Sequence, residues 1–450
     1  MAIDLPREVA LKTLYDINEN GAYSNISLNK YLESIELRSI DKAFITDLVY
    51  GTIKWRLKID WVIQQFSSVK LKKISPWIMC ILRLGVYQLL YTDKIPESAA
   101  CNESVNLAKK YGHASARGFV NAVLRNISKN RDKITYPDKD IEPIKYLSVM
   151  HSHPEWMVQE WLNAFGLEFT EGLLVANNGI PDFKIRTNTL KVTVEQLIVE
   201  FQESEIEVSR GKYIDEALVI KNPSSIIRLE AFKKGHFQVQ DESSMLVSKV
   251  LDPKPGELVI DVCSAPGGKS THIAQLMNNE GEVIARDIHE HKIKIINEAS
   301  TRLGIDIIKT ELFDATKTDE KYLEKADRVL VDAPCSGLGI IRRKPDIKWA
   351  RNINDKKEII ELQYKILRAA SKYLKLGGIL VYSTCTIERL ENEGLVERFL
   401  ELNSEFELID ISSLIPDTLK KKSTFDGYIQ LFPNIDDLDG FFMAKMIRRR

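Results

Sequence analysis

From about residue 236 to the end of the chain, short apolar runs alternate with longer stretches of helical periodicity. The runs are Leu258 to Asp261, Val283 to Asp287, Ile307 to Thr310, Val329 to Asp332 and Ile379 to Thr384. Helical patterns separate and follow them: one starting at Ser270, one through Ile295 to Leu303, one through Ile359 to Leu374 and one from Glu391 to Leu400. Strand and helix repeated in this way predict a parallel, doubly wound α/β sheet. Open sheets of that kind bind ligands just beyond the carboxyl ends of their strands, so chemistry is expected in the residues after each run.

Three of those strand ends carry reactive or flexible residues. The first run leads into Cys263-Ser264-Ala265-Pro266-Gly267-Gly268-Lys269, a turn whose glycines let backbone approach a ligand closely. The fourth leads into Asp332-Ala333-Pro334-Cys335, and the fifth into Ser383-Thr384-Cys385. If these strands share one sheet, both thiols emerge beside the glycine turn. A thiol in a polar turn adds little packing, so Cys335 and Cys385 read as a pair for covalent chemistry. Cys80 and Cys101 read as small buried hydrophobes, and Cys263 as a residue that meets a ligand through its backbone. Five cysteines in 450 residues, with no C-x-x-C pair, fit neither a disulfide framework nor a zinc site. His151-Ser152-His153 and His289-Glu290-His291 lack H-E-x-x-H spacing, and no metal is expected.

The glycine turn overlaps the phosphate loop G-x-x-x-x-G-K-[ST] through Gly268-Lys269-Ser270, but Cys263 stands where its first glycine belongs. Asp287 closes the second strand about 20 residues further on, where an acidic residue holds the ribose hydroxyls of an adenosine cofactor. A phosphate-loop hydrolase uses neither Asp287 nor two strand-end cysteines. The nucleoside-cofactor reading is therefore favoured.

Residues 1–135 carry three-and-four spacing throughout, as in Ile78, Ile81, Leu82, Val86, Leu89 and Leu90, with Gly51 and Pro96 as punctuation. They predict an all-helical domain. Residues 145–235 mix helices with short strands such as Phe183 to Arg186 and Ala217 to Ile220, which fits a small α+β domain, and 236–450 form the α/β domain. Residues 1–130 carry net +6 and the remainder net −7. Arg7, Lys54, Arg56, Lys58, Lys109, Lys110, Arg117 and Arg125 supply positive charge to the first domain. A polyanionic partner and an ordinary solvated surface both account for that charge. No stretch of 18 apolar residues and no basic-then-apolar start occur, so a cytoplasmic protein away from membranes is expected.

The segments Cys263 to Lys269, Asp287, Asp332 to Cys335 and Ser383 to Cys385 resemble the motifs of S-adenosylmethionine-dependent RNA cytosine-5 methyltransferases. Gln240-Asp241-Glu242-Ser243-Ser244, Ile341 to Trp349, Asp426-Gly427 and Asp439-Gly440-Phe441-Phe442 extend the resemblance. Val49-Tyr50-Gly51-Thr52, Ile95 to Ala100 and Phe119 to Arg125 are similar to the NusB-type RNA-binding domain. In combination they resemble the bacterial RsmB (Sun, Fmu) family over nearly the whole chain. The chain departs from that family after Cys385, where Ser and a Pro-Glu-Glu-Asn run are usual: Thr386, Arg389 and Leu390 differ and only Glu391-Asn392 match. Ser264 replaces a usual alanine.

The resemblance implies an all-α N-terminal RNA-binding domain, a small α+β domain and a Rossmann-like S-adenosylmethionine-dependent methyltransferase domain. It implies methylation of carbon 5 of a cytidine in 16S ribosomal RNA, and a monomer is expected. Cys385 would attack the base, Cys335 would assist breakdown of the adduct, Asp332 would hydrogen-bond the cytosine edge and border the methyl donor, and Lys269 would orient the base. The turn from Cys263 through Lys269 would meet the methionine portion of S-adenosylmethionine, Asp287 its ribose and Asp314 its adenine amino group. Arg342, Arg343, Lys344 and Lys348, just after Cys335, are placed to hold phosphates or to form a solvated basic loop, and Trp349 to stack or simply pack. Two alternatives remain at this point: a different RNA substrate, or an inactive NusB-like antitermination factor.

Overall fold

A computed structural model of the chain describes residues 4–221, 226–352 and 355–449. The chain divides into two units, Met1–Gly179 with Ile341–Asn352, and Ile180–Ile340 with Ile353–Arg450.

The first unit is helical. Leu5–Glu19, Ser39–Lys54, Arg56–Phe66, Pro76–Tyr91, Glu97–Tyr111 and Ala116–Lys129 pack around a core that includes Leu11, Leu48, Ile81, Leu82 and Leu124. The helix Pro76–Tyr91 is central because it is apolar on nearly every face. Gly51 does not punctuate. It lies inside Ser39–Lys54, where an added Cβ would fall 2.0 Å from the Tyr87 ring, so its role is close packing. Three further helices, Pro143–His151, Glu155–Phe165 and Leu167–Asn178, belong to this unit, which extends it past the boundary expected near 135. Pro143–His151 packs on Arg56–Phe66.

The segment Ile341–Asn352 completes the same unit. Lys348 is only 1% exposed. Its Nζ donates to the carbonyls of Lys54 and Ser152, each at 2.8 Å, and to Asn178 Oδ1 at 3.3 Å. Ser24 Oγ donates to Asp346 Oδ1 at 2.5 Å, and Trp349 Nε1 to the Ile53 carbonyl at 2.9 Å. The expectation that Lys348 holds phosphate is therefore corrected: an ammonium enclosed among protein carbonyls has no face left for RNA. Trp349 packs against the helical core.

The second unit contains two sheets. In the smaller, β1 (Phe183–Thr187), β2 (Val208–Arg210), β3 (Ala217–Ile220) and β4 (Phe237–Val239) pair antiparallel in the order β2-β3-β1-β4. The larger holds β5 (Leu258–Asp261), β6 (Glu282–Asp287), β7 (Ile308–Leu312), β8 (Ala326–Asp332), β9 (Leu374–Thr384), β10 (Phe406–Leu408), β11 (Tyr428–Leu431) and β12 (Phe441–Arg448). Its order is β10-β12-β9-β8-β5-β6-β7, with β11 also on β12. From β9 to β7 all neighbours are parallel. The wholly parallel sheet expected from the alternation is corrected at one edge, because β12 runs antiparallel to β9 and pairs antiparallel with β10 and β11. Strand order reverses between β5 and β8, the switch point at which such sheets open a ligand crevice. Among the described residues no helix is long and apolar enough to cross a membrane.

Candidate active site

Asp261 ends β5, and the turn after it passes into the helix Gly268–Leu276. Gly267 holds φ +96, a conformation open to glycine and strained for other residues. Ser264 pins the turn to the next strand, its amide and its Oγ both donating to the Arg286 carbonyl at 2.8 Å. The first amides of a helix lack intrahelical partners, and no side chain caps this helix start at Gly267, an arrangement suited to drawing a polar or anionic group close. Cys263 packs against the apolar cluster on β5 and β8, and burial pushes its thiol well above the ordinary range. That leaves it unreactive.

Asp287 ends β6 with Oδ1 accepting the His289 amide at 3.0 Å and Oδ2 lying 3.5 Å from Lys292 Nζ. Asp314, after β7, spends Oδ1 on Thr316, whose amide and hydroxyl donate at 3.0 and 2.7 Å. That is an ordinary turn-closing use of an aspartate. Those bonds also hold the Asp314 carboxyl below its usual range.

Across the switch point, Asp332 ends β8. Its Oδ2 pairs with Lys269 Nζ at 2.7 Å and its Oδ1 accepts Ser383 Oγ at 2.8 Å. Lys269 Nζ lies 5.0 Å over the Phe441 ring. One carboxylate thus joins the glycine-turn helix, β8 and β9. Beyond it, Sγ of Cys335 and Sγ of Cys385 are 3.3 Å apart. The sulfur contact and burial together raise the Cys335 thiol well above the ordinary range.

The two cysteine turns are laced together. Ser336 Oγ and Thr386 Oγ1 are 2.7 Å apart, the Gly339 amide donates to the Cys385 carbonyl at 3.0 Å, and the Gly440 amide donates to the Gly339 carbonyl at 2.8 Å. A Cβ on Gly339 would fall 1.9 Å from the Gly440 carbonyl oxygen, so this approach requires glycine.

The sequence-predicted residues Cys335, Cys385, Asp332 and Lys269 are thus brought together, with the turn from Cys263 through Gly268 alongside. Sequence reasoning missed Arg186. This guanidinium of β1 is 0% exposed and donates to the Gly268 carbonyl at 2.8 Å, to Thr271 Oγ1 at 3.0 Å, to Gln275 Oε1 at 3.1 Å and to Gln240 Oε1. It also missed Gln363, and it singled out Glu391 only as a motif match. Arg342 and Arg343 are half-buried and Lys344 is exposed.

A Rossmann-like sheet with a glycine turn at β5 and paired chemistry at β8 and β9, joined to a helical NusB-like domain and a small α+β domain, defines an RNA methyltransferase of modular build. Sequence models of three families match: 16S rRNA methyltransferase RsmB/F over residues 248–447, the NusB family over 4–129, and the RsmF/B-like ferredoxin-like domain over 153–227. A relative from Bacillus subtilis (strain 168), named probable ribosomal RNA small subunit methyltransferase B, is 40% identical over 98% of each chain. One from Pseudomonas syringae pv. tomato, ribosomal RNA small subunit methyltransferase B, is 32% identical over 98% of this chain and 97% of its own. Among solved structures, PH0851 is 29% identical with a TM-score of 0.84 over 99% of each chain. A methyltransferase homologue from Pyrococcus horikoshii is 28% identical with a TM-score of 0.60 over 68% of this chain and 99% of its own. The chain belongs to the RsmB family of ribosomal RNA small-subunit methyltransferases.

Proposed function

We propose that the second unit methylates carbon 5 of a cytidine in 16S ribosomal RNA through a covalent adduct on Cys385. The observation that carries this reading is the 3.3 Å separation of the Cys335 and Cys385 sulfurs beside the Asp332–Lys269 pair.

The donor set fits S-adenosylmethionine. Backbone amides of the turn from Cys263 through Lys269 would hold its methionine portion, Asp287 its ribose hydroxyls and Asp314 its adenine edge, with Asp332 bordering the methyl end. An added Cβ at Gly268 would find no atom nearer than 3.8 Å, so space is open above the turn. Bound there, S-adenosylmethionine supplies an electrophilic methyl group.

Carbon 5 of cytosine is a weak nucleophile until another nucleophile adds at carbon 6. Cys385 Sγ forms that C–S bond and sends electron density toward carbon 5. The 3.3 Å contact between the sulfurs fits this assignment, because that contact and burial raise the Cys335 thiol and so disfavour Cys335 as the attacking thiolate. Asp332, held by Lys269 and Ser383, hydrogen-bonds the cytosine edge, while Lys269 orients the ring. Once carbon 5 carries the methyl group, its proton passes to a base, the C–H electrons re-form the C5–C6 double bond and the C–S electrons return to Cys385, a breakdown that Cys335 assists. A target base within folded RNA has to be extruded to reach the two sulfurs.

The test is methyl transfer from labelled S-adenosylmethionine to small-subunit RNA. Loss in Cys385→Ala is expected, and activity surviving that change overturns the nucleophile. Cys335→Ala is expected to accumulate a denaturant-resistant protein–RNA adduct. An inactive antitermination factor would give no transfer from the parent chain.

A further inference from the structure

Glu391 lies in the turn after β9 and is 2% exposed, while Gln363, on the helix Asp355–Ser371, is fully buried. Both reach the backbone on either side of Cys335. Gln363 Nε2 donates to the Pro334 carbonyl at 3.0 Å and to Glu391 Oε2 at 2.8 Å, and the same Oε2 accepts the Ser336 amide at 2.9 Å. The Tyr382 hydroxyl donates to the Glu391 carbonyl at 2.7 Å, which fixes the carboxyl's own backbone to β9. Ordinary turn formation requires none of this. A buried carboxyl is costly to maintain, and Oε1 of both Glu391 and Gln363 lacks a hydrogen-bond partner among the described residues. Burial also pushes the Glu391 carboxyl above its usual range.

We infer that Glu391 and Gln363 are positioning residues for the Cys335 thiol: together they fix the Pro334 carbonyl and the Ser336 amide, and so set the direction in which Cys335 Sγ meets Cys385 Sγ. The inference rests on the role given above to Cys335. Displacement of about 1 Å at a reacting group costs on the order of a hundredfold in rate, so the clamp is worth its buried carboxyl. The Glu391 charge also acts directly on the Cys335 sulfur, disfavouring its thiolate.

Two measurements on the full-length protein test this. In the first, Glu391→Ala and Gln363→Met lower kcat for methyl transfer roughly tenfold to a hundredfold. They leave KM for RNA unchanged and accumulate part of the adduct expected of Cys335→Ala. Glu391→Gln, which keeps an acceptor for the Ser336 amide, recovers most of the rate. In the second, iodoacetamide labelling of the folded protein, read peptide by peptide, shows Cys335 reacting several-fold faster in Glu391→Ala than in the parent. If Glu391→Ala and Gln363→Met leave both kcat and Cys335 labelling unchanged, or if Glu391→Gln is as impaired as Glu391→Ala with no adduct in either, the inference is overturned. If Cys335→Ala gives no adduct while Glu391→Ala still alters Cys335 labelling, the clamp stands and the breakdown role of Cys335 falls.

Discussion

Asp332 and Ser383 face each other as partners at the ends of β8 and β9, and that register brings Cys335 and Cys385 into sulfur contact. Each cysteine lies a few residues past its partner, so sliding β9 by one residue would turn Ser383 to the other face of the sheet and separate the thiols. The Ala333 amide donating to the Ser383 carbonyl at 2.9 Å carries the ladder one step beyond β8 and guards against such a slip.

Gly339→Ala should be destabilising and nearly inactive. The new methyl would meet the Gly440 carbonyl, and the strain costs about 1–3 kcal/mol. Thermal melting measures the first effect and methyl transfer the second. A variant with parental melting temperature and turnover would show that the two turns need not touch.

Arg186→Lys should raise KM for S-adenosylmethionine about tenfold or more while affecting KM for RNA little. A single ammonium cannot reproduce the fork that reaches Gly268, Thr271, Gln275 and Gln240 at once. Calorimetric titration of the variant with S-adenosylmethionine gives the same comparison without turnover, and unchanged affinity would remove Arg186 from the support of the turn.

Asp261 gives a pH signature. The carboxyl is fully buried, accepts Ser270 Oγ at 2.6 Å, and burial pushes its pKa up to about 7. Between roughly pH 4 and 7 the folded chain therefore binds a proton that the unfolded chain has released, so this group makes stability fall as pH rises through that window. Asp261→Asn should remove that fall, giving a gain over the parent that is larger at pH 8 than at pH 5, on the order of a few kcal/mol. Urea unfolding at the two pH values checks it; parallel shifts at both would contradict the raised pKa.

Lys348→Met should unfold more easily by a few kcal/mol, because it strands the buried Ser152 carbonyl and two partly buried acceptors, the Lys54 carbonyl and Asn178 Oδ1. The salt dependence of RNA binding should not change, since Lys348 meets no phosphate. An exposed cation of the first unit that does meet one, Arg125 being the candidate, should lower the slope of log K against log salt by about 0.7 when replaced by Ala.

The strand ends that carry the site were legible because each apolar run stops at a polar residue: Asp261 and Asp332 are the observed last residues of β5 and β8, and Thr384 that of β9. The antiparallel edge was not, because β10 and β11 are short and separated by single helical turns that break any period. Arg186 was hidden by alternation. It shares a face of β1 with Lys184, which reads as the solvent side, yet that face packs on the helix Gly268–Leu276 and buries both cations. Gln363 left a usable trace, a polar residue in line with Ile366, Leu367 and Ala370 on the apolar stripe of its helix. Nothing in the composition of residues 341–352 tells that they join the first unit, because a twelve-residue excursion contains too few turns for any periodicity.

That excursion sets an order of events during synthesis. The ribosome releases the first 179 residues long before it makes Ile341–Asn352, and by then β5 to β8 have already been translated. Until Lys348 arrives, the carbonyls of Lys54 and Ser152 and the Asn178 amide oxygen lack the ammonium that later joins them. The nascent helical unit thus stays unfinished while much of the catalytic sheet emerges, and a fragment cut at Gly179 would reproduce that waiting state rather than the mature one.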